Sequence, residues 1–230
     1  QTDGCAAQPP PGGGPLGPLD FEPDGLGAAY AWTVFENGDN PPLEFIPNPD
    51  ASGINPSATV AQFTARQAGQ PFAGTVTLDL PTFTLDESNA IVKIMVWKSV
   101  ISDVGIKFET ADFASSGEIK VANTVVNQWE ELTFDFSGKI GEPSSTDIAG
   151  FIVFPDFDAR AQDNVVYFDN ITFNAVGDQP PPGDDTREDF EGDPDSYTFA
   201  DFEGGVGSVV ANPAPGGLNM RQTPSASGEL

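Results

Sequence analysis

Apolar and polar residues alternate along much of this chain, and no segment of helical length keeps a 3.6-residue period, so the chain is limited to strands. Val76-Thr77-Leu78-Asp79-Leu80 alternates at every step. Val92, Ile94 and Val96 share one side of residues 90–97, while Lys93, Met95 and Trp97 share the other. Val104, Ile106 and Phe108 oppose Lys107 and Glu109 in the same way, and Leu132, Phe134 and Phe136 oppose Glu131, Thr133 and Asp135. Residues 151–154 and 165–173 are almost continuously apolar, as central strands of a packed sheet should be. Turn-forming clusters separate these runs, drawing on 25 Gly and 22 Pro. The expected fold is all-β: an antiparallel β-sandwich of jelly-roll type.

The chain also repeats itself. Gln8-Pro9-Pro10-Pro11-Gly12 returns as Gln179-Pro180-Pro181-Pro182-Gly183, and each linker is followed by an acidic word, Asp20-Phe21-Glu22 and then Asp189-Phe190-Glu191. Tyr30 to Gly38 is echoed by Tyr197 to Gly205. Asn48-Pro49 with Gly53-Ile54-Asn55 recurs as Asn212-Pro213 with Gly217-Leu218-Asn219. A period this long describes beads on a string rather than a solenoid. The expected organisation is a Pro/Gly linker at 1–18, a sandwich module at 19–175, a second linker at 176–188, and the N-terminal part of a second, incomplete module at 189–230. Triproline stretches stiffen such linkers and glycines let them swivel.

Charge and residue types remove whole classes of function. Nine Lys+Arg stand against 35 Asp+Glu, a formal net charge of −26. Such a surface repels nucleic acid and anionic lipid, both of which need clustered cations. Most of these acids are expected to be solvated, with a few free to hold a divalent cation through oxygen. There is no His and one Cys, which removes Ser-His-Asp and Cys-His nucleophiles and the usual zinc sites. No apolar run reaches the roughly 18 residues of a membrane span. With no signal peptide visible, the numbering is expected to begin at a mature end. Cys5 follows Gly4 as a lipoprotein cysteine would, but Asp3 fits that pattern poorly, and the residue is read as a linker thiol.

The order Asp20-Phe21-Glu22, Phe72-Ala73-Gly74, Lys93 to Trp97, Gly105 to Glu109, Trp129 to Phe136 and Tyr167-Phe168-Asp169-Asn170-Ile171 resembles a family of bacterial jelly-roll modules. These are similar to carbohydrate-binding modules of the galactose-binding-like superfold, strung in tandem in extracellular proteins of Bacteroidetes and marine bacteria. The resemblance covers 19–175 and, truncated, 189–230. It implies secretion to the cell surface, frequent structural calcium, and often a polysaccharide or cell-surface glycan as partner. In such modules the first and last strands meet and clamp calcium, which maps onto Glu22 and Asp169 with Asp20 as a helper.

Trp97 is the expected sugar-stacking ring, because it lies opposite the aliphatic face. Lys93, Lys107 and Glu109 are the expected hydrogen-bonding groups around it. Trp129 and Trp32 read as packing residues; Phe199 stands at the position of Trp32 in the second copy. Carboxylates are abundant, but nothing selects a glycosidase pair, so no catalytic residue is named. Two readings remain open. One is a non-catalytic glycan-binding module. The other is a structural or adhesive surface or filament protein built of sandwich beads, with no sugar ligand and with copies joined through the incomplete module.

Overall fold

The computed structural model describes residues 16–177 together with the backbone of two strands, at 206–211 and 218–223. The chain divides into two units, 1–179 and 180–230. The first unit is a sandwich of ten antiparallel strands: β1 (Thr33–Phe35), β2 (Glu44–Pro47), β3 (Thr59–Ala65), β4 (Gly74–Thr77), β5 (Ile91–Lys98), β6 (Asp103–Thr110), β7 (Ile119–Ala122), β8 (Trp129–Asp135), β9 (Ile148–Phe154) and β10 (Asn164–Asn174). They form two five-stranded sheets, ordered β1-β4-β9-β6-β7 and β2-β3-β10-β5-β8. A single helical turn, α1 (Leu26–Ala29), precedes them. The expected jelly-roll sandwich is the fold observed.

The inner faces meet in a phenylalanine-rich core. Phe21, Phe108, Phe136, Phe151 and Phe168 are wholly buried, and Phe173 nearly so. Their rings meet edge-on or tilted, with centroids 4.7 Å apart for Phe108–Phe136, 5.5 Å for Phe151–Phe173 and 5.4 Å for Phe21–Phe168. Each such pair contributes about 0.5–1.5 kcal/mol beyond the burial of its area. Strand β3 escaped the sequence reading because its core face is Ala61, Phe63 and Ala65, and alanine gives little apolar contrast.

Strand β4 alternates as expected, and it is the threonine side that turns inward. Thr75 and Thr77 are wholly buried, whereas Leu78 is 61% exposed. The register sets Val76 opposite Ile152 on the outer side of the sheet, so the aliphatic side of this strand covers an outer face.

The N-terminal segment joins the sandwich at its last strand. Leu19 and Ile171 form an antiparallel bridge, with N–H to O distances of 2.8 and 3.0 Å. A bulge between Asp169 and Thr172 interrupts the pairing of β10 with β5, and Asn170 there takes a left-handed φ of 48°, which asparagine tolerates well. In the second unit, β11 (Val206–Ala211) pairs with β12 (Leu218–Thr223) as an antiparallel hairpin. In the sequence, the repeated Asn-Pro word follows β11 as it follows β2. Cys5, read above as a linker thiol, and most of both linkers lie outside the described residues.

A buried ion network pins one end of the first unit. Lys98, 1% exposed, donates from Nζ to the Ser102 carbonyl at 3.0 Å and the Ser102 hydroxyl at 2.6 Å, and lies 3.5 Å from Asp156 Oδ1. Asp156 also accepts from Asn164 Nδ2 at 2.9 Å and sits 3.3 Å from Arg160 Nε. Arg160 in turn donates to the carbonyls of Arg66 and Gln70. The network ties the ends of β5 and β9 to the loop after β3. Burial lowers the Lys98 ammonium to about 8, against the opposing pull of Asp156. The folded protein sheds this proton before the unfolded chain does, so stability from this group is lowest below pH 8 and grows toward the ordinary value of 10.5. Lys98→Met removes the titration. Urea denaturation should show wild type gaining roughly 3 kcal/mol on Lys98→Met between those two pH values; a difference constant with pH would count against a buried, titrating lysine.

Candidate functional site

The two outer faces of the sandwich are dressed differently. On the β1-β4-β9-β6-β7 sheet the cross-strand register sets Phe35 opposite Gly74, Gly74's row beside Phe154, and Phe154 opposite Gly105, with Lys120 beyond. Rings and glycines alternate along this row. A Cβ on Gly74 would come within 3.0 Å of both Phe35 and Phe154, and one on Gly105 would meet Phe157 at 2.9 Å and Phe154 at 3.0 Å. The missing side chains let the rings lie down on the backbone. Phe154 is the buried floor, and Phe35 and Phe157 flank it half-buried, with centroids at 5.9 and 5.0 Å. Lys120 Nζ stands 4.4 Å from the Phe157 centroid, a cation–π contact, and Lys107 Nζ is 2.6 Å from Glu109 Oε1. Leu78 lies over Gly150 in the next row.

On the β2-β3-β10-β5-β8 sheet the outer row reads Glu44, Gln62, Tyr167, Trp97, Trp129, one residue from each strand in register. Trp97 and Trp129 meet edge to face at 5.9 Å. The loop after β2 crosses this face to reach the far edge strand: the Trp129 indole N–H donates to Asn48 Oδ1 at 3.1 Å and to the Asp50 carbonyl at 3.0 Å. Asn170 Nδ2 donates to Asn55 Oδ1 and Ser57 Oγ of the same loop. Lys93 pairs with Glu131 at 3.1 Å on this face.

Trp97 and Lys93 therefore belong to one sheet, and Lys107 and Glu109 to the other. The four residues expected to form one site are split across a core about 10 Å thick. Each lies on an outer face, as the alternation required, but two alternations in different strands do not say which sheet each strand joins. Phe35, Phe154, Phe157 and Lys120 were missed. Glycines inside strands, at 74, 105 and 150, were the available signal, because a strand glycine marks a place where something bulky approaches the backbone. Trp32 and Trp129 are packing residues: Trp32 packs against the core and its indole donates to the Gly27 carbonyl at 2.8 Å, while Trp129 is 8% exposed.

The acids expected at the joined ends are neighbours without forming a cluster. Asp20 Oδ1 accepts the Glu22 N–H at 3.2 Å and closes its own turn. Glu22 Oε1 accepts the N–H groups of Ala58 and Thr59. Asp169 is wholly buried, and neither carboxylate oxygen has an aligned hydrogen-bond partner, although Ser57, Asn55 and the Asn170 and Phe21 amides lie close. Burial pushes its carboxyl above the ordinary value, against the pull of those neighbours. Among the described residues no three Asp, Glu, His or Cys side chains converge.

The sequence matches no family model and no curated protein. Solved structures do share the fold. An arabinose-bound α-L-arabinofuranosidase is 15% identical with a TM-score of 0.52, over 68% of this chain and 25% of that one. An exo-β-agarase is 12% identical with a TM-score of 0.48, over 73% of this chain and 26% of that one. A module specific for non-crystalline cellulose is 11% identical with a TM-score of 0.47, over 69% of this chain and 94% of its own length. This chain thus spans about a quarter of the arabinofuranosidase. The likeness is one of fold.

The ring-and-glycine row makes its own stability claim. Gly105→Ala should press Phe157 off the sheet and cost about 1–3 kcal/mol, as overpacking does. Chemical denaturation measures this; an unchanged midpoint would mean the ring is not seated on that glycine.

Proposed function

We propose that this chain is a secreted, non-catalytic glycan-binding module, with a polysaccharide laid across the outer face of the β1-β4-β9-β6-β7 sheet. The row of rings seated on Gly74 and Gly105 carries this reading. Phe35 and Phe157 offer apolar surface to the C–H faces of sugar rings, while Lys107, Glu109 and Lys120 offer hydrogen bonds to hydroxyls. Glu109 is committed to Lys107 rather than set across from a second carboxyl, an arrangement suited to holding a chain rather than cleaving it. Affinities in the millimolar to micromolar range correspond to about 4–8 kcal/mol. Affinity electrophoresis through mixed-linkage β-glucan, xylan, arabinan and agarose should retard the wild type in at least one gel. Phe157→Ala should weaken that retention roughly tenfold, about 1.4 kcal/mol. Unretarded migration of the wild type in every gel would sink the proposal.

Calcium belongs to the same reading as a structural ion at Asp169. A buried carboxylate without partners is costly, and a hard cation with oxygen neighbours removes that cost. Asp169 would hold it with the side-chain oxygens of Asn55 and Ser57; Glu22, which grips the same 58–59 segment, is the second acid within the region. Asp20, whose Oδ1 also closes its own turn, is the helper acid of this reading. Bound calcium would join the N-terminal segment, the loop after β2 and the last strand. At a concentration about 100 times its dissociation constant it would add about 2.7 kcal/mol, raising the melting point by roughly 5–10 °C over the chelated protein. Asp169→Asn should abolish that difference. Equal melting points with calcium and with chelator would remove the ion from the proposal.

A further inference from the structure

Of the three tryptophans, two spend their indole N–H inside the protein, on Gly27 for Trp32 and on Asn48 and Asp50 for Trp129. Trp97 Nε1 and the Tyr167 hydroxyl make no such bond among the described residues. These two residues stand in register on neighbouring strands, both partly exposed. Gln62 and Glu44 continue the row, with Gln62 Nε2 donating to Glu44 Oε2 at 2.8 Å. The loop tied to Trp129 closes one side of the row, so the rings lie along the foot of a wall. Rings with free polar tips, followed by an amide and a carboxylate, match the alternating C–H faces and hydroxyls of a sugar chain.

We propose that the Glu44-Gln62-Tyr167-Trp97 row is a second carbohydrate-contacting surface, on the opposite side of the sandwich from the first, and that it takes a neutral polysaccharide. The inference rests on the glycan reading given above and extends it to two faces. Neutrality follows from the charges: Glu44 lies in the row, no lysine does, and the nearest on the face, Lys93, is held by Glu131 at 3.1 Å. An anionic chain would meet an uncompensated carboxylate on a protein of net charge −26. The same charge opposes a second copy of this chain as the occupant. With one chain held on each side, a single module cross-links two polysaccharides.

The test uses the full chain and disables the first face with Phe35→Ala and Phe157→Ala together, with melting curves to show that the variant folds. Neutral mixed-linkage β-glucan, xylan, arabinan and agarose are the probes, read by affinity electrophoresis and by tryptophan emission. The expected result is that this variant is still retained by a polysaccharide and its emission still shifts. Adding Trp97→Ala should remove the shift and weaken retention roughly tenfold or more. Tyr167→Ala in the wild-type chain, which leaves every tryptophan in place, should shrink the emission change as well. The second surface is overturned if the first-face variant loses all retention while Trp97→Ala alone is retained like wild type; the first-face reading then stands. It is also overturned if Trp97→Ala lowers the mass seen by light scattering without changing retention, which would make the row a self-contact. If the wild type is retained by nothing, both readings fall together.

Discussion

Strand β10 is the element on which the rest of the first unit hangs. Its eleven residues pair with β3 on one side and β5 on the other, and its Ile171 receives the incoming N-terminal segment at Leu19. Phe168, Ile171 and Phe173 reach into the core between the sheets, so the same strand supplies ladder and packing. A strand so committed has little freedom, and the bulge at Asp169–Thr172 is where it departs from regular pairing. That departure places a buried carboxylate beside the loop after β2. Bulges re-aim side chains, and they tend to occur where a protein does something beyond packing.

A sandwich has two outer faces, and here physical chemistry has treated them differently. On one, glycines remove side chains so that phenylalanine rings rest on the backbone. On the other, a loop crosses the sheet and is fastened at its far edge by a tryptophan, leaving a strip of Tyr167 and Trp97 beside it. Covering both faces fully would have made an inert sandwich. Leaving both bare would have exposed apolar surface that invites aggregation. The intermediate arrangement, with rings half-buried among hydrogen-bonding groups, keeps the surface compatible with water and with amphipathic ligands.

The fold was legible because six strands advertise themselves by alternation or by apolar runs. The core positions Val92, Ile94, Val96, Val104, Ile106, Phe108, Leu132 and Phe134 were assigned to the correct side. The meeting of the first and last segments was legible too, through the resemblance. What failed has physical reasons. Alternation in β4 left open which side turns inward; the threonines do, and Leu78 lies outward. Lys107 and Glu109 were grouped with Trp97 because alternation gives the side of a strand and is silent on sheet membership, which depends on long-range pairing. Lys98 gave no sign of burial, since its partner Asp156 lies on a distant segment of the chain.

The pairing of Leu19 with Ile171 has a mechanical consequence. Because the two segments run antiparallel, the chain enters the first unit beside the point where β10 leaves it. Tension applied between residues 16 and 177 pulls on one end of this pairing and opens its hydrogen bonds in succession, as a zipper opens. A shearing load would have to break the ladder all at once. The first yield under force is the release of Leu19, followed by withdrawal of Phe21 from among Trp32, Phe45 and Phe168. The unit is soft along the line joining its ends, however high its melting point.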